Sequence, residues 1–558
     1  MPTFEELYNS FSWEKFCEEV LDWNPKERLN IAHEAIDLHA KDPHKIALFC
    51  IRKDGRCEKI TYRELKQFTN RFANLLRGLG IEKGDRVARL MPRIPETYIT
   101  FLGTWKAGAI DVPLYTAFGP EAIAYRVRDS GAKVILTDAE NRRKLVKIKD
   151  QIKDVKIVVV PEDRGLGIHG GDFSFWQEME QASDRFETVA AREDETAVIL
   201  YTSGTTGPPK GTLIPMCGII TILPYAKYNL EIRPDDMYWG FADPGWAYGL
   251  LTAGTSSLVL GNSLIVYEPG FTAEGWYETV SKYGVSVFTT APTAMRLIMA
   301  AGEDLPKKYD LSSLRRLSCG GEATNPEITL WFKKHVGVEV YDMYGITEVG
   351  MIIANNPYMP VKPGSMGKAV FGFQIALVDE NGEPVPQGKP GIISCPRDNP
   401  YFLAKGYLNQ PEKWDKAFLK GRWFNTGDMA RQDKDGYYYF EGRSDDVISS
   451  AAYRIGPTEV ESILLEHPAV ADSAVVGKPD ELRGEVVKAY IVLTKNHQPS
   501  EDLKRDIQLY AKNKLSKHNY PKELEFVDDL PKTPSGKIMR RLLRDKEYEK
   551  AGKKVTKV

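Results

Sequence analysis

The sequence predicts an α/β protein with a large N-terminal domain of parallel β-sheets wrapped in helices, a β-rich subdomain and a small α+β C-terminal domain. Three observations lead to this prediction. Short apolar runs alternate with helical segments from about residue 86 to residue 343, which is typical of βαβ units. Glycine, proline and short β-type runs dominate from 364 to about 442. Two helical and three strand-like segments follow between 458 and 526, the size of an independent small domain.

The N-terminal alternation begins with a helix. Thr61 and Glu64 have the spacing of a capping box, and an apolar face follows them, so a helix is expected from there to Gly78 or Gly80. The elements predicted after it are strand 86–88, helix 95–106, strand 108–114, helix 121–130, strand 133–137, helix 141–149 and strand 155–160. We place the N-terminal domain at 1–442, with the β-rich subdomain at about 364–442, a junction at 443–446 and the C-terminal domain at 447–558.

The second half of the N-terminal domain continues the same alternation. Strand 197–200, helix 216–229, helix 276–283, strand 285–288, strand 314–319, helix 326–335 and strand 338–343 are predicted. The stretch Trp246–Tyr267 carries no formal charge over 22 residues, which approaches the length of a membrane span. Glycines and hydroxyl residues dilute it, so a buried helix and a buried strand are expected there instead.

Composition narrows the classes of function. The chain has 558 residues, 42% hydrophobic and 27% charged, with a net charge of −2, so no broad positive field favours nucleic acid or an acidic membrane. Its six cysteines form no CxxC pair, and its eight histidines lack metal-ligand spacing, which argues against a disulfide framework or a zinc site. The acidic N-terminus does not resemble a signal peptide, and we expect a cytoplasmic protein with no membrane span.

One loop carries the strongest functional signal. Tyr201–Thr212 follows an apolar strand, and its glycines allow the backbone to approach a ligand closely. Four hydroxyls and one ammonium add donors for phosphate oxygens. The loop is not a Walker A motif, because Pro209 precedes Lys210 and Gly211 follows it. We interpret it as a polyphosphate-binding loop rather than a surface turn. Its predicted ligand-binding residues are Thr202, Ser203, Gly204, Thr205, Thr206, Gly207 and Lys210.

Four further clusters lie at strand ends or in loops, where open α/β sheets place their ligand sites. They are Gly320-Gly321-Glu322-Ala323, Tyr344-Gly345-Ile346-Thr347-Glu348, Thr426-Gly427-Asp428 and the Lys532–Lys537 loop. A ring, a hydroxyl and a carboxylate occur together in the second cluster, which suits a base, a phosphate and Mg²⁺ bound through Glu348. Taken singly, the Tyr344–Glu348 cluster is equally compatible with a strand end followed by a capped helix, and the last two clusters are compatible with ordinary turns.

Taken together and in this order, the five motifs resemble those of the adenylate-forming superfamily, which includes acyl-CoA synthetases, adenylation domains of peptide synthetases and firefly luciferase. The resemblance runs from about Pro43 to Arg544. Phe241–Trp246 and Leu114–Glu121 are most similar to the acetyl- and medium-chain acyl-CoA synthetase branch. Ala242 stands where peptide-synthetase domains place an Asp that holds an amino group, which argues against an amino-acid substrate.

The resemblance implies a role for each cluster in a reaction of ATP, a small-molecule carboxylic acid and CoA. The loop would hold the β- and γ-phosphates, and Thr347 would meet the α-phosphate. Asp428, assisted by Arg443, would bind the ribose, and Lys537 would bridge the attacking carboxylate and the α-phosphate. The catalytic residues would be Lys537, Thr347 and Glu348. The remaining nucleotide-binding residues would be Gly321, Glu322, Ala323, Asp342, Tyr344 and Gly345.

The resemblance also implies a mobile C-terminal domain that rotates about a hinge at Asp445 between the two half-reactions. Ser450, Ala451, Ala452 and Tyr453 would then line the tunnel for CoA. The family usually has glycine where Ala452 stands, so the thioester step is the less secure half of the prediction. An enzyme that stops at the acyl adenylate, or passes the acyl group to a carrier protein, therefore stays open. A nucleotide-binding regulatory protein with this fold is disfavoured, because it would not need Lys537.

The acyl pocket is predicted to include Trp246, Tyr248, Gly345 and Ile346. Acetate-specific members of the family close this pocket with a tryptophan in the Tyr344-Gly345 region, and Gly345 would leave that space open. We therefore expect an acid larger than acetate, whether medium-chain, branched or aromatic. If another ring closes the pocket, a short acid such as acetate is the alternative. The sequence indicates neither an oligomeric state nor the direction of the reaction.

Overall fold

A computed structural model describes residues 3–162, 167–202, 209–322, 324–450, 453–480, 483–515, 520–533 and 538–552. The chain divides into two compact units. The first comprises Met1–Pro363, Gly367–Gln374 and Arg397–Lys416, and the second comprises Gly364–Met366, Ile375–Pro396 and Ala417–Val558. The predicted domain boundaries stay predictions, and each unit is described here by itself.

The described helices are, in chain order, α1 Phe4–Ser10, α2 Trp13–Val20, α3 Tyr62–Gly78, α4 Pro95–Lys106, α5 Pro120–Ser130, α6 Ala139–Val146, α7 Phe175–Gln181, α8 Gly218–Pro224, α9 Ser256–Val259, α10 Ala273–Tyr283, α11 Pro292–Ala300, α12 Pro326–His335, α13 Pro411–Lys416, α14 Pro457–Leu465, α15 Glu501–Lys514 and α16 Arg540–Lys550. Short π-helical turns lie at His33–Asp37, Tyr225–Asn229 and Tyr248–Thr252, and 3₁₀ turns at Lys149–Gln151 and Pro306–Lys308.

The described strands are β1 Ile46–Ile51, β2 Cys57–Thr61, β3 Arg86–Leu90, β4 Ile110–Pro113, β5 Val134–Asp138, β6 Lys156–Val160, β7 Phe173–Ser174, β8 Thr196–Thr202, β9 Lys210–Pro215, β10 Met237–Gly240, β11 Ser263–Tyr267, β12 Val287–Thr290, β13 Arg316–Gly320, β14 Val340–Ile346, β15 Gly350–Ala354, β16 Lys368–Ala369, β17 Ala376–Val378, β18 Gly391–Pro396, β19 Gly406–Tyr407, β20 Phe418–Leu419, β21 Trp423–Gln432, β22 Tyr438–Arg443, β23 Ile448–Ser450, β24 Tyr453–Ile455, β25 Val470–Asp480, β26 Gly484–Leu493 and β27 Glu523–Phe526.

Two mainly parallel sheets with helices form the first unit, as the α/β prediction requires. One sheet has the order β16-β15-β14-β13-β12-β10-β11-β1-β2, and the other has the order β19-β9-β8-β4-β3-β5-β6-β7. The core of the first sheet includes Trp239, Trp276, Phe288 and Phe332, which are almost completely buried. Parallel strands bring their carboxyl ends to one edge of a sheet, and Gly320, the last residue of β13, lies beside Met343 of β14.

The second unit holds two smaller sheets. The first, of order β17-β18-β21-β20 with β22 paired to β21, is antiparallel, as expected for the β-rich segment. The second has the order β24-β23-β26-β25, with β27 added beside β26. Helices α14 and α15 contribute Val460, Leu464, Ile507 and Ala511 to its core.

Three local predictions need correction. The predicted loop does not extend to Thr212, because residues 210–215 form β9, antiparallel to β8. Strand β14 does not stop at Tyr344 but continues to Ile346, because β15 pairs with it in a hairpin. The mixed charges of the segment after Lys537 predict a solvated helix, but Leu543 and Tyr548 of α16 are buried. In each case the partner that fixes the structure is distant in sequence or belongs to a hairpin.

Among the described residues, no helix is both long and apolar enough to cross a membrane. The uncharged stretch after Trp246 instead divides into the π-helical turn at Tyr248–Thr252, the short helix α9 and strand β11. Four of its leucines (Leu250, Leu251, Leu258 and Leu264) and its serines at 256 and 257 are buried in the first unit.

Candidate nucleotide and acyl site

The predicted phosphate loop connects two paired strands. Thr202, the last residue of β8, lies opposite Lys210, the first residue of β9, so both flanks of the loop are fixed by sheet hydrogen bonds. The Thr202 hydroxyl is buried and has no hydrogen-bond partner among the residues that the structure describes. Ser203, Gly204, Thr205, Thr206 and Gly207 lie outside the described residues, and their role in phosphate binding stays a prediction.

Lys210 lies close to Glu348 and Tyr407. The Lys210 Nζ is 3.8 Å from Glu348 Oε1 and donates to Tyr407 Oη at 3.1 Å. The Tyr407 hydroxyl donates to the same Glu348 oxygen at 2.9 Å. The structure therefore brings together the cation at the end of the phosphate loop and the carboxylate predicted to bind Mg²⁺.

The hairpin between β14 and β15 positions Glu348. Tyr344, Gly345 and Ile346 belong to β14, and the turn at 347–349 carries Thr347, half-buried, and Glu348, 8% exposed. A Cβ added at Gly345 would lie 2.2 Å from the Gly350 carbonyl oxygen and 2.5 Å from Met351 Cε. The hairpin itself thus requires glycine at 345, and an open acyl pocket is not the only explanation for this residue.

Asp342 belongs to β14, two residues before Tyr344, and its side chain is buried. Its Oδ1 accepts from the Thr324 hydroxyl at 2.9 Å and from the Met343 amide at 2.8 Å. Burial raises the pKa of Asp342 to about 7. These contacts link β14 to the segment that follows β13, whereas the predicted contact of Asp342 with the nucleotide stays a prediction.

The segment after β13 turns at Gly321, which has a φ of +89° that glycine adopts without strain. The next residue, Glu322, accepts from Thr293 Oγ1 at 3.0 Å and from Arg296 Nη2 at 3.2 Å, both on the first turns of α11. Ala323 lies outside the described residues. The predicted adenine-binding segment is therefore held by α11 on one side and by Asp342 on the other.

The predicted acyl-pocket aromatics differ in their surroundings. Trp246 is half-buried and packs against Tyr115 and Phe118, with ring centroids 5.4 and 6.1 Å away. Tyr248 begins a π-helical turn, a feature often found at functional sites. Trp239, a further aromatic near these residues in the sequence, lies in the core beside Tyr267 and Phe288.

Asp428 and Arg443 face each other on β21 and β22 in the second unit. Arg443 Nη1 donates to Asp428 Oδ1 at 3.3 Å, and Arg443 Nε donates to Asp445 Oδ1 at 3.1 Å. Arg443 thus connects the residue predicted to bind ribose with the residue predicted to act as the hinge.

Helix α16 contacts the predicted hinge. Arg544 donates to the Asp445 carbonyl and, at 3.5 Å, to Asp446 Oδ1. Arg540 forms a two-pronged ion pair with Glu461 at 2.7 and 2.5 Å. Lys537, Ala451 and Ala452 lie outside the described residues. Ser450 ends β23 and Tyr453 begins β24, so the predicted CoA tunnel is described only at its margins.

A basic cavity in the second unit was not predicted. It has a volume of about 330 Å³ and is lined by Arg505, Gln508, Leu509, Lys512, Tyr520 and Lys522. Lys522 Nζ lies 3.6 Å from the centre of the Tyr520 ring, and its ammonium lowers the pKa of the Tyr520 hydroxyl. No carboxylate lines the cavity, and within the described ranges Arg505 and Lys512 form no ion pair. The arrangement suits a phosphate group.

Two structural features, the basic cavity and the position of Tyr407, were not predicted from the sequence. The cations of the cavity come from α15 and from the segment before β27, and neither segment carries a phosphate motif. Tyr407 follows Lys405-Gly406 in a segment assigned to the β-rich subdomain. The pairing of β19 with β9 brings this segment beside the phosphate loop, and only that pairing reveals the tyrosine.

Comparisons with known proteins agree with the resemblance. The model of the AMP-binding enzyme family matches residues 37–408, and the model of the AMP-binding enzyme C-terminal domain matches residues 459–537. The acetyl-coenzyme A synthetase of Bacillus subtilis is 40% identical, over 98% of this chain and 95% of its own. The crystal structure of Brucella canis acyl-CoA synthetase has 38% identity and a TM-score of 0.78, over 99% of this chain and 100% of its own.

A solved structure with a bound intermediate is also similar. The anthranilate CoA ligase AuaEII in complex with anthranoyl-AMP superposes with a TM-score of 0.86 and 30% identity, over 95% of this chain and 100% of its own. Family models and relatives together cover both predicted domains, and they confirm the superfamily and the fold class inferred from the five motifs. The chain belongs to the AMP-binding enzyme family.

Proposed function

We propose that the protein joins a carboxylic acid larger than acetate to CoA in two steps, using ATP and releasing AMP and pyrophosphate. The observation that carries the proposal is the cluster of Lys210, Tyr407 and Glu348, which places a cation and a carboxylate together at the end of the loop predicted to bind phosphate. AMP-forming CoA ligases among the relatives support this class of enzyme.

In the first step an oxygen of the substrate carboxylate attacks the α-phosphorus of ATP, and the bond to pyrophosphate breaks. In the second step the CoA sulfur attacks the acyl carbonyl carbon, the bond to AMP breaks and the thiol proton leaves to solvent. The nucleophile is already charged, so catalysis rests on placement and on neutralising the developing charge. Lys210 and, by resemblance, Lys537 supply that positive charge.

The Oε2 carboxylate oxygen of Glu348 is a suitable ligand for Mg²⁺. Oε1 of this residue is engaged by Tyr407, and within the described chain its Oε2 accepts no hydrogen bond. Mg²⁺ is typically bound by one or two carboxylates together with substrate phosphates, and no group of three or more candidate ligands occurs among the described residues. Glu348 would hold the ion, which would neutralise charge on the phosphates.

The basic cavity of the second unit supports CoA as the acceptor of the acyl group. CoA carries a pyrophosphate and a 3′-phosphate, and Arg505, Lys512 and Lys522 offer three cations around one cavity beside the Tyr520 ring. This supports transfer to CoA over an enzyme that stops at the acyl adenylate or uses a carrier protein.

For the acid, we propose a medium-chain, branched or aromatic substrate. Gly345 has no side chain, and a tryptophan there would collide with the hairpin backbone, so the closure used by acetate-specific members is absent. Acetate is the second candidate, because the relative from Bacillus subtilis bears the name acetyl-coenzyme A synthetase. The bound anthranoyl-AMP of the solved relative favours an aromatic acid.

Acid-dependent exchange of labelled pyrophosphate into ATP tests the proposal, with acids from acetate to octanoate and benzoate. We expect the highest kcat/KM with an acid of four or more carbon atoms. A marked preference for acetate would refute the proposed size, and no exchange with any acid would refute the proposed function.

A further inference from the structure

Tyr407 is the one group in the described site that contacts both predicted phosphate-binding and metal-binding side chains. Its hydroxyl donates to Glu348 Oε1 at 2.9 Å and accepts from Lys210 Nζ at 3.1 Å. The Lys210 ammonium also lies 4.2 Å from the centre of the Tyr407 ring. A single side chain therefore contacts both the cation and the carboxylate, whose charged atoms lie 3.8 Å apart.

The backbone around Tyr407 makes this position rigid. Leu408 N donates to the Gly211 carbonyl at 2.7 Å, and Lys405 N donates to the Leu213 carbonyl at 2.9 Å. Ala404 N donates to the Glu348 carbonyl at 2.9 Å, so the segment 404–408 joins β9 directly to the β14–β15 hairpin. Tyr407 is 5% exposed, and its ring packs edge-on against Trp414 at 5.2 Å.

The chemistry of the tyrosine suits this place. The phenol hydroxyl offers one proton to donate and lone pairs to accept, and it uses both, toward Glu348 and Lys210 respectively. Hydrogen bonds to a charged acceptor contribute more to stability than neutral ones. The bond holds one oxygen of Glu348 and leaves Oε2 available for a cation.

We infer that Tyr407 is a positioning residue that orients Glu348 for Mg²⁺ and limits how closely Lys210 approaches that carboxylate, with Lys210 Nζ held 3.8 Å from Glu348 Oε1. The inference rests on the proposed function, since it assumes that Mg²⁺ and ATP bind here. Without the hydroxyl, Lys210 would approach Glu348 and compete with the metal. The ring, and hence the packing against Trp414, would remain.

Tyr407→Phe tests this by removing only the hydroxyl. By isothermal titration with ATP, we expect affinity in the presence of Mg²⁺ to fall about 10- to 100-fold, while affinity without Mg²⁺ changes less than about threefold. The EPR signal of bound Mn²⁺ should weaken in parallel. Tyr309→Phe is the matched control, because Tyr309 stacks on Tyr277 in the core of the first unit and its change should leave both affinities as in the wild type.

A double variant separates positioning from a general structural role. If Tyr407 acts through Glu348, adding Tyr407→Phe to Glu348→Gln should lower Mg²⁺-dependent affinity by less than about twofold. The inference would be overturned if the wild type and Tyr407→Phe bound ATP equally well with Mg²⁺, or if the losses of affinity in the double variant were fully additive. Either result would leave the proposed function intact. A wild-type protein that binds no ATP with Mg²⁺ would overturn the proposed function as well.

Discussion

Arg443 packs its guanidinium directly over Gly427, so that a Cβ on the glycine would lie 2.6 Å from Arg443 Nη2. Gly427 has a φ of +74° and precedes Asp428, to which Arg443 donates. The glycine therefore serves two purposes, a left-handed turn and room for the arginine that holds the predicted ribose-binding carboxylate.

Gly427→Ala should displace Arg443 and loosen Asp428. We expect the KM for ATP to rise about tenfold and stability to fall by about 1–2 kcal/mol from the left-handed backbone alone. Gly421→Ala is the matched control, since Gly421 has a φ of +68° and nothing lies within 4 Å of its Cβ position. A loss of ATP affinity in both variants would show that the contact with Arg443 is irrelevant.

Asp342 should make stability depend on pH. Its folded pKa of about 7 lies above the usual pKa of about 3.9, so the folded state retains a proton that the unfolded state has lost. Stability should therefore fall as pH rises from about 4 to about 7 and level off above that range.

Asp342→Asn should remove this dependence, because an amide oxygen can accept the same bonds from Thr324 and Met343. The Tm of the variant minus that of the wild type should be several degrees larger at pH 8 than at pH 5. An identical difference in Tm at both pH values would contradict the raised pKa. A large rise in the KM for ATP in the same variant would support the role in nucleotide binding that the resemblance implies for Asp342.

Arg544 offers a test of the hinge. Arg544→Lys keeps the charge but loses the guanidinium, whose Nη1 donates to both the Asp445 carbonyl and Asp446 Oδ1. We expect the ratio of the adenylation rate to the thioester-forming rate to change at least threefold, because α16 would no longer hold one hinge conformation. Arg541→Lys, an exposed position on the same helix, should leave the ratio unchanged, and an equal effect of both variants would argue against a role for Arg544.

Much of the fold follows from local signals. Helices α4 and α12 have the predicted bounds, because proline at the first helical position fixes the start of each. The capping box at Thr61 is present as predicted. These features depend on neighbours three or four residues apart, which a sequence displays directly.

What the sequence did not reveal depends on contacts between distant segments. Strand β9 exists because it pairs with β8 across the phosphate loop. Tyr407 reaches Glu348 across 59 positions of the chain, and no local pattern marks the pair. Gly345 was attributed to substrate size, yet the backbone of its own hairpin partner also explains it.

Lys537 is predicted to be needed for adenylation but not for thioester formation. It lies outside the described residues, and its role follows from the resemblance. Lys537→Ala should lower adenylation by orders of magnitude, because the positive charge between the carboxylate and the α-phosphate is lost. Thioester formation from a preformed acyl adenylate should survive, and an equal loss of both steps would contradict a domain rotation between them.

The most direct test of the proposed function is the release of AMP from ATP, measured with and without CoA over a panel of carboxylic acids. We predict AMP release that requires both CoA and an acid, accompanied by an equal amount of acyl-CoA and fastest with an acid larger than acetate. AMP release that is independent of CoA, or no acyl-CoA with any acid, would contradict the proposal.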